Sequence, residues 1–284
     1  MKPIAGVLLI VSLILNSVPA EANSVRVMSY NIRHGRGMDG EVDLERIAAV
    51  IKAEAPDVVC LQEVDRFMER TDGVDQPSEL AKLLNMQAVF EPNLRRNGGE
   101  YGNATLTRLE IVDYANNPLP RPNDREPRGA LRTTLRKNGV TFDVFNTHLG
   151  LDAEERKAQA AALLRLVTDR PTIIAGDINE EADGPAARLF HPAFNDAWHW
   201  RSNGAPATYP AGDAPERRID YVFASKDLNV LSFHVPWSSE ARIASDHLPC
   251  LAVAGLPEPP KSAAGRGIHG VNDERVDDAA GERP

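Results

Sequence analysis

Polar side chains break apolar, strand-like runs at a small number of places in this sequence. Asn31 closes the run 25–32, Glu63 directly follows 57–62, and Asp177 and Asn179 directly follow 172–176. His148 stands between the run 141–147 and Gly150, Asp220 precedes 221–223, and Asp246 with His247 precedes 248–253. Oxygen donors from Asp, Glu and Asn without a Cys or His cluster suit a hard divalent cation. Mg²⁺ is the first choice, because it accepts one or two carboxylates and fills its sphere with water and substrate phosphate; Mn²⁺ and Ca²⁺ satisfy the same donors. The seven histidines include no HExxH-type zinc spacing. Taken singly, each residue has a plain structural role, such as a turn former, a surface charge or a satisfied core histidine. Their joint placement at strand ends is what points to chemistry, since ligands of open α/β sheets bind outside the carboxyl ends of strands.

These residues need a scaffold of alternating short strands and helices. Strands are predicted at 25–32, 57–62, 104–107, 130–136, 141–147, 172–176, 221–223, 230–234 and 248–253. Asn138-Gly139 marks a hairpin between the fourth run and the fifth. One helix starts at Asp43 as N-cap, carries Leu44, Ile47, Ala48 and Ile51 on one face, and stops at Pro56. A second covers 78–84, and a third opens on Asp152-x-x-Glu155 and runs to about 168. Many strands with few interspersed helices indicate an α/β sandwich around mixed sheets.

The 284 residues divide into three segments. Residues 1–22 carry Lys2, an apolar stretch from Ile4 to Leu15 and an Ala20-Glu21-Ala22 ending, which reads as a signal peptide. Its apolar run is shorter than the ~20 residues needed to cross a bilayer. A secreted or periplasmic chain with no transmembrane segment after cleavage is therefore expected. Residues 23–256 form one catalytic-sized domain, and 257–284, rich in Pro, Gly and charge, lack the apolar residues to offset the entropy of ordering. Cys60 and Cys250 lie in apolar runs and read as buried small hydrophobes rather than a bridge. The formal net charge is −9, which disfavours a protein built to grip long nucleic acid. Arginines cluster at Arg95 and Arg96, at Arg121, Arg125, Arg128 and Arg132, and at Arg217 and Arg218. Such clusters can meet phosphate oxygens, although solvated loop positions are the plainer reading.

The segments Tyr30-Asn31-Ile32, Leu61-Gln62-Glu63, Tyr101-Gly102-Asn103, Asn146-Thr147-His148-Leu149, Gly176-Asp177-Ile178-Asn179, Arg218-Ile219-Asp220-Tyr221 and Ser245-Asp246-His247-Leu248-Pro249 occur in one order. In that order they resemble the endonuclease/exonuclease/phosphatase superfamily, deoxyribonuclease I-like metal-dependent phosphohydrolases. The resemblance covers about residues 25–253. It implies a four-layer α/β sandwich of two packed mixed β-sheets flanked by helices. It also implies hydrolysis of a phosphate ester by in-line attack of an activated water.

By the same resemblance Glu63 is the principal metal ligand, with Asn31 beside it and Asp246 completing the metal side. Asp177 positions or deprotonates the water, and Asn179 bonds the phosphate as charge develops. His247, oriented by Asp220, contacts the phosphate, and His148 donates toward the phosphate or the leaving oxygen. Asn103 contacts the phosphate or His148. Arg156 and Gln159, one turn apart on the third helix, read as a solvated face outside the catalytic set. The acidic balance favours a small, sugar or lipid phosphodiester; a secreted nuclease acting on DNA or RNA is the alternative. A non-catalytic phosphate-binding protein is the remaining class, and the intact set of named roles argues against it. A monomer is expected.

Overall fold

A computed structural model describes residues 23–198 and 207–259. The signal-peptide segment 1–22 and all but the start of the tail 257–284 lie outside the described residues.

Twelve described strands form two six-stranded sheets. The first contains β1 (Ser24–Asn31), β2 (Val58–Arg66), β3 (Gln87–Arg96), β4 (Gly99–Thr107), β11 (Asn229–His234) and β12 (Cys250–Gly255), in the order β11-β12-β1-β2-β4-β3. The second contains β5 (Glu110–Pro118), β6 (Gly129–Lys137), β7 (Val140–His148), β8 (Thr172–Asp177), β9 (Phe194–Asp196) and β10 (Asp220–Ser225), in the order β5-β6-β7-β8-β10-β9. Among the described strands, only β1 with β2 and β7 with β8 pair in parallel. These are the central strands, and their carboxyl ends carry Asn31, His148 and Asp177.

The layers follow from which faces are apolar. Val25, Val27, Val58 and Cys60 of the first sheet pack against Phe142, Val144, Ile173 and Val222 of the second. Alternate residues of β1 and β2, including Met28, Tyr30, Val59 and Leu61, pack against α1 (Leu44–Glu54) and α2 (Gln76–Leu84). Phe145, Ile174, Tyr221 and Phe223 face α3 (Ala153–Leu164) and α4 (Pro185–Phe190). A short α5 (Ala241–Ala244) covers the first sheet near α1. The result is the expected sandwich of helices, sheet, sheet and helices. The caps hold as the sequence indicates: Asp43 accepts from Arg46 N, and Asp152 accepts from Glu154 N and Glu155 N. α3 stops at Leu164, one turn short of the expected end.

Both cysteines are buried and free. In register, Cys60 and Cys250 each pair with Ser29 from opposite sides of β1. They are thus two strand spacings apart, about 9.6 Å, beyond the roughly 7 Å a disulfide can bridge.

One polar network crosses the apolar interface between the sheets. Asn146 of β7 donates to the carbonyls of Leu61 (3.1 Å) and Ala104 (2.8 Å), and its Oδ1 accepts from Gln62 Nε2 at 2.8 Å. All of this amide's hydrogen-bonding groups but one lone pair are used at zero exposure, so it fixes how the sheets slide past one another. Replacing Asn146 by Leu keeps the volume and strands two carbonyls and an amide, a cost of about 2–4 kcal/mol. Urea unfolding of Asn146→Leu should show that loss, and a change under ~0.5 kcal/mol would mean the network does not hold the sheets.

Candidate active site

The polar strand ends meet at one edge of the sandwich. The parallel register sets His148 beside Asp177, and the antiparallel one sets Asp220 beside Asp177. Gly176 makes the first alignment possible, because a Cβ there would overlap the Thr147 carbonyl of the neighbouring strand. The segment 245–248 enters from the other sheet. Ser245 Oγ donates to the Asn31 carbonyl at 2.8 Å, and Leu248 N donates to Thr208 O at 2.7 Å. Asp246 and His247 are therefore tied to the end of β1.

Asp177 Oδ2 is the common point. Asn31 Nδ2 donates to it at 3.1 Å, while His148 Nε2 lies 3.4 Å away and His247 Nε2 3.7 Å away. Its Oδ1 accepts from Asn179 N at 2.8 Å, within a turn where Asn179 takes a left-handed φ of 55°. Burial and the neighbouring Asp220 raise the Asp177 carboxyl well above the usual carboxylate range. That makes it a competent proton acceptor near neutral pH.

The two histidines are pushed in opposite directions. Burial, Arg128 and His247 hold His148 well below the ordinary imidazole value. Asn179 Nδ2 donates to His148 Nε2 at 3.0 Å, which places the ring proton on Nδ1 in the neutral form. Burial also disfavours a charge on His247, but Asp220 and Asp177 outweigh it and push the group up to about 10. Its Nδ1–H donates to Asp220 Oδ2 at 2.9 Å, leaving Nε2 directed at Asp177 and the cleft. Tyr209 lies against the same ring, centroids 4.8 Å apart. Opposed titrations in one pocket are the usual sign of separate acid and base roles.

Contrary to the expectation from sequence, Glu63 does not stand at a strand end. β2 continues to Arg66, and the register with β4 shifts between Leu61 and Val64. Glu63 sits in that bulge with φ 58°, which re-aims its side chain into the cleft. Asn31 Nδ2, at 3.1 Å from Glu63 Oε1, joins Glu63 to Asp177. Burial and then Asp246 raise the Glu63 carboxyl. Asn31 itself is fully buried behind both carboxylates, and its Oδ1 accepts from Arg33 N at 3.0 Å.

Eight of the nine residues expected from sequence gather here, and Asn103 is the exception. It is 2% exposed and donates to the Gly129 and Asn146 carbonyls, so it braces β4 against the second sheet instead of contacting a phosphate. In the same motif Gly102 lets β3 pass close by, and Tyr101 lines the cleft. Arg156 and Gln159 are likewise not a solvated face. Gln159 Oε1 accepts from Gly150 N at 2.8 Å, and Arg156 Nη1 donates to Leu151 O at 2.6 Å. Together they brace the loop after His148. The cleft has a volume of about 560 Å³, and Arg70, Arg96, Arg128 and Arg217 also line it. Sequence singles out three of these arginines only as members of clusters; Arg70 carries no such signal.

Because Asp220 holds the proton on His247, the imidazolium persists above its ordinary range and is lost only as pH rises through the raised value. Removing the carboxylate reverses this. In metal-free protein, ¹H–¹³C NMR should show His247 protonated at pH 8, and Asp220→Asn should move its titration down by at least about one unit. An unchanged midpoint would remove Asp220 from that role.

Residues 28–247 match the model of the Endonuclease/Exonuclease/phosphatase family. The uncharacterized protein YbhP of Escherichia coli strain K12 is 27% identical over 244 residues, covering 81% of this chain and 95% of its own. The crystal structure of an endonuclease/exonuclease/phosphatase from Beutenbergia cavernae is similar at TM-score 0.67 and 29% identity, covering 84% of this chain and 73% of that one. The human Nocturnin catalytic domain with bound sulfate anion is similar at TM-score 0.66 and 26% identity, covering 82% and 93%. The chain belongs to the endonuclease/exonuclease/phosphatase family.

Proposed function

We propose that this chain is an exported, divalent-metal-dependent phosphodiesterase that acts on a small, sugar or lipid phosphodiester. The observation that carries the chemistry is the cluster on Asp177 Oδ2, which brings a raised carboxylate, a neutral histidine and a charged histidine together beside Glu63. The sulfate in the human Nocturnin domain supports tetrahedral-anion binding in this fold. Export rests on the 1–22 sequence pattern.

The donor set fits a hard cation. Glu63 and Asp246 are both partly exposed to the cleft, and burial and then the Asp246 charge raise the cost of ionising Glu63 unless a positive charge lies beside it. Asp177, Asp220 and His247 also place ligand atoms within 4.8 Å of one another. His247 Nδ1, however, is already committed to Asp220, and in this reading that trio serves the phosphate. Glu63 and Asp246 would hold the ion, with Asn31 fixing Glu63 from behind. A bound cation neutralises charge on the non-bridging phosphate oxygens.

Asp177 then accepts the proton of the attacking water. Its carboxylate, held at Oδ2 by Asn31 and at Oδ1 by the Asn179 backbone N–H, orients that water for in-line attack. The His247 imidazolium is a preorganised donor where charge builds on the phosphate, and Asn179, whose Nδ2 protons go to His148 and the Leu149 carbonyl, positions His148 beside it. His148, neutral and with Nε2 held by Asn179, would donate to the phosphate or the leaving oxygen through its Nδ1–H. The cleft, about 560 Å³ and lined by Met68, Leu94 and Leu151 among its polar residues, suits a small ester more than a groove tracking several phosphates.

A panel of bis-p-nitrophenyl phosphate, glycerophosphodiesters, sphingomyelin, phosphoinositides, plasmid DNA and RNA, each with Mg²⁺, Mn²⁺, Ca²⁺ or a chelator, tests this. Hydrolysis should require a divalent cation, run fastest with Mg²⁺, and favour small diesters over polynucleotides. Glu63→Gln should lower turnover about 1,000-fold or more while the thermal midpoint stays within a few degrees. Full turnover of that variant in saturating Mg²⁺ would remove Glu63 as the metal ligand, and preferred cleavage of DNA or RNA would overturn the substrate class.

A further inference from the structure

Arg128 precedes β6, and its backbone carbonyl accepts from Leu119 N at 2.9 Å. Its side chain is only 8% exposed, yet its single ion pair among the described residues is Nη1 to Glu126 Oε1 at 3.0 Å, and Glu126 is itself 43% exposed. The buried Nε–H has no partner among the described residues. A guanidinium has five N–H donors, and burying its Nε–H without a partner costs free energy unless something else meets it. Other cleft arginines differ. Arg70 is held bidentately by buried Asp65, Arg217 pairs with Glu181 at 3.3 Å, and Arg96 lies on the exposed rim.

The position of Arg128 is equally particular. It lines the catalytic cleft and also a smaller adjoining pocket of about 260 Å³ with Arg125, Gly150 and Leu151. It shares the catalytic cleft with Glu63 and His148. It therefore flanks the place where a phosphate between those two residues must sit.

We infer that Arg128 is a substrate-binding residue, its partly unpaired, nine-tenths-buried guanidinium gripping non-bridging oxygens of the scissile phosphate beside His148. The planar fork matches two phosphate oxygens, and a ligand there meets the Nε–H that the described residues leave open. Inorganic phosphate is accordingly a ligand of the free site. This rests on the phosphate-ester assignment above, but its test separates from it.

Inorganic phosphate binding is measured by calorimetry on wild type, Arg128→Gln and Arg128→Lys, with Mg²⁺ and again with a chelator. Wild type should bind in both conditions, and Arg128→Gln should weaken binding about tenfold or more in both. Arg128→Lys keeps the charge without the fork and should fall between them. With the best diester from the panel, kcat/KM of Arg128→Gln should drop about 100-fold, with KM rising as well as kcat falling. Thermal melts accompany each variant; if Arg128→Gln does not fold, Arg128→Lys carries the test, and its phosphate affinity should fall at least about threefold. Phosphate affinity and kcat/KM within twofold of wild type in a folded variant would overturn the inference. So would reduced turnover with unchanged phosphate affinity, which marks a structural role. Should wild type hydrolyse none of the panel yet lose phosphate affinity on Arg128→Gln, the substrate assignment fails and this one stands.

Discussion

One carboxylate oxygen, Asp177 Oδ2, receives an amide from the first sheet, faces a histidine from its own sheet, and approaches a second histidine from a loop tied to the first. A buried carboxylate is costly unless its lone pairs are met, and segments far apart in the chain, around Asn31, Asp177 and His247, must arrive together to meet them. The site is therefore a consequence of how the two sheets are stacked. Any slippage of one past the other separates Asn31 from Asp177 first.

That stacking is specified by few polar contacts within a large apolar interface. Asn146, Gln62 and Asn103 cross it with bonds to backbone or to each other, and Ser245 and Thr208 tie the flanking loops. Apolar packing alone tolerates sliding; a buried amide with satisfied partners admits one register. The same economy explains the two histidines. Asp220 and Asp177, outweighing burial at one ring, and burial with Arg128 at the other make identical side chains a cation and a neutral acceptor.

The central strands are legible in the sequence because both their faces are buried. Val58 to Gln62 and Thr172 to Gly176 are unbroken buried runs, which only a doubly covered strand produces. β3, β5 and β9 escape a reading of the sequence for the opposite reason: they are sheet edges, and the two long ones are half exposed along their length, so no two-residue pattern survives. Motif order picks out the side chains that converge on Asp177, because acids, amides and histidines at the ends of apolar runs have few structural reasons to be there. It fails for Asn103, because an amide beside a motif looks the same whether it faces a ligand or a carbonyl. Glu63 reaches the cleft by a bulge instead of a strand end, and a bulge has no signature in side-chain types alone. Arg128 sits in a charged, Pro-rich loop where it is indistinguishable by sequence from its solvated neighbours; only burial sets it apart.

In the proposed mechanism, water held by Asp177 displaces the leaving group at phosphorus in a single step. The stereochemical course of hydrolysis of a chiral phosphorothioate diester in ¹⁸O-labelled water reads this directly. One in-line displacement gives inversion of configuration at phosphorus. Retention would mean two displacements through a covalent enzyme intermediate, and would contradict direct attack by a water that Asp177 deprotonates.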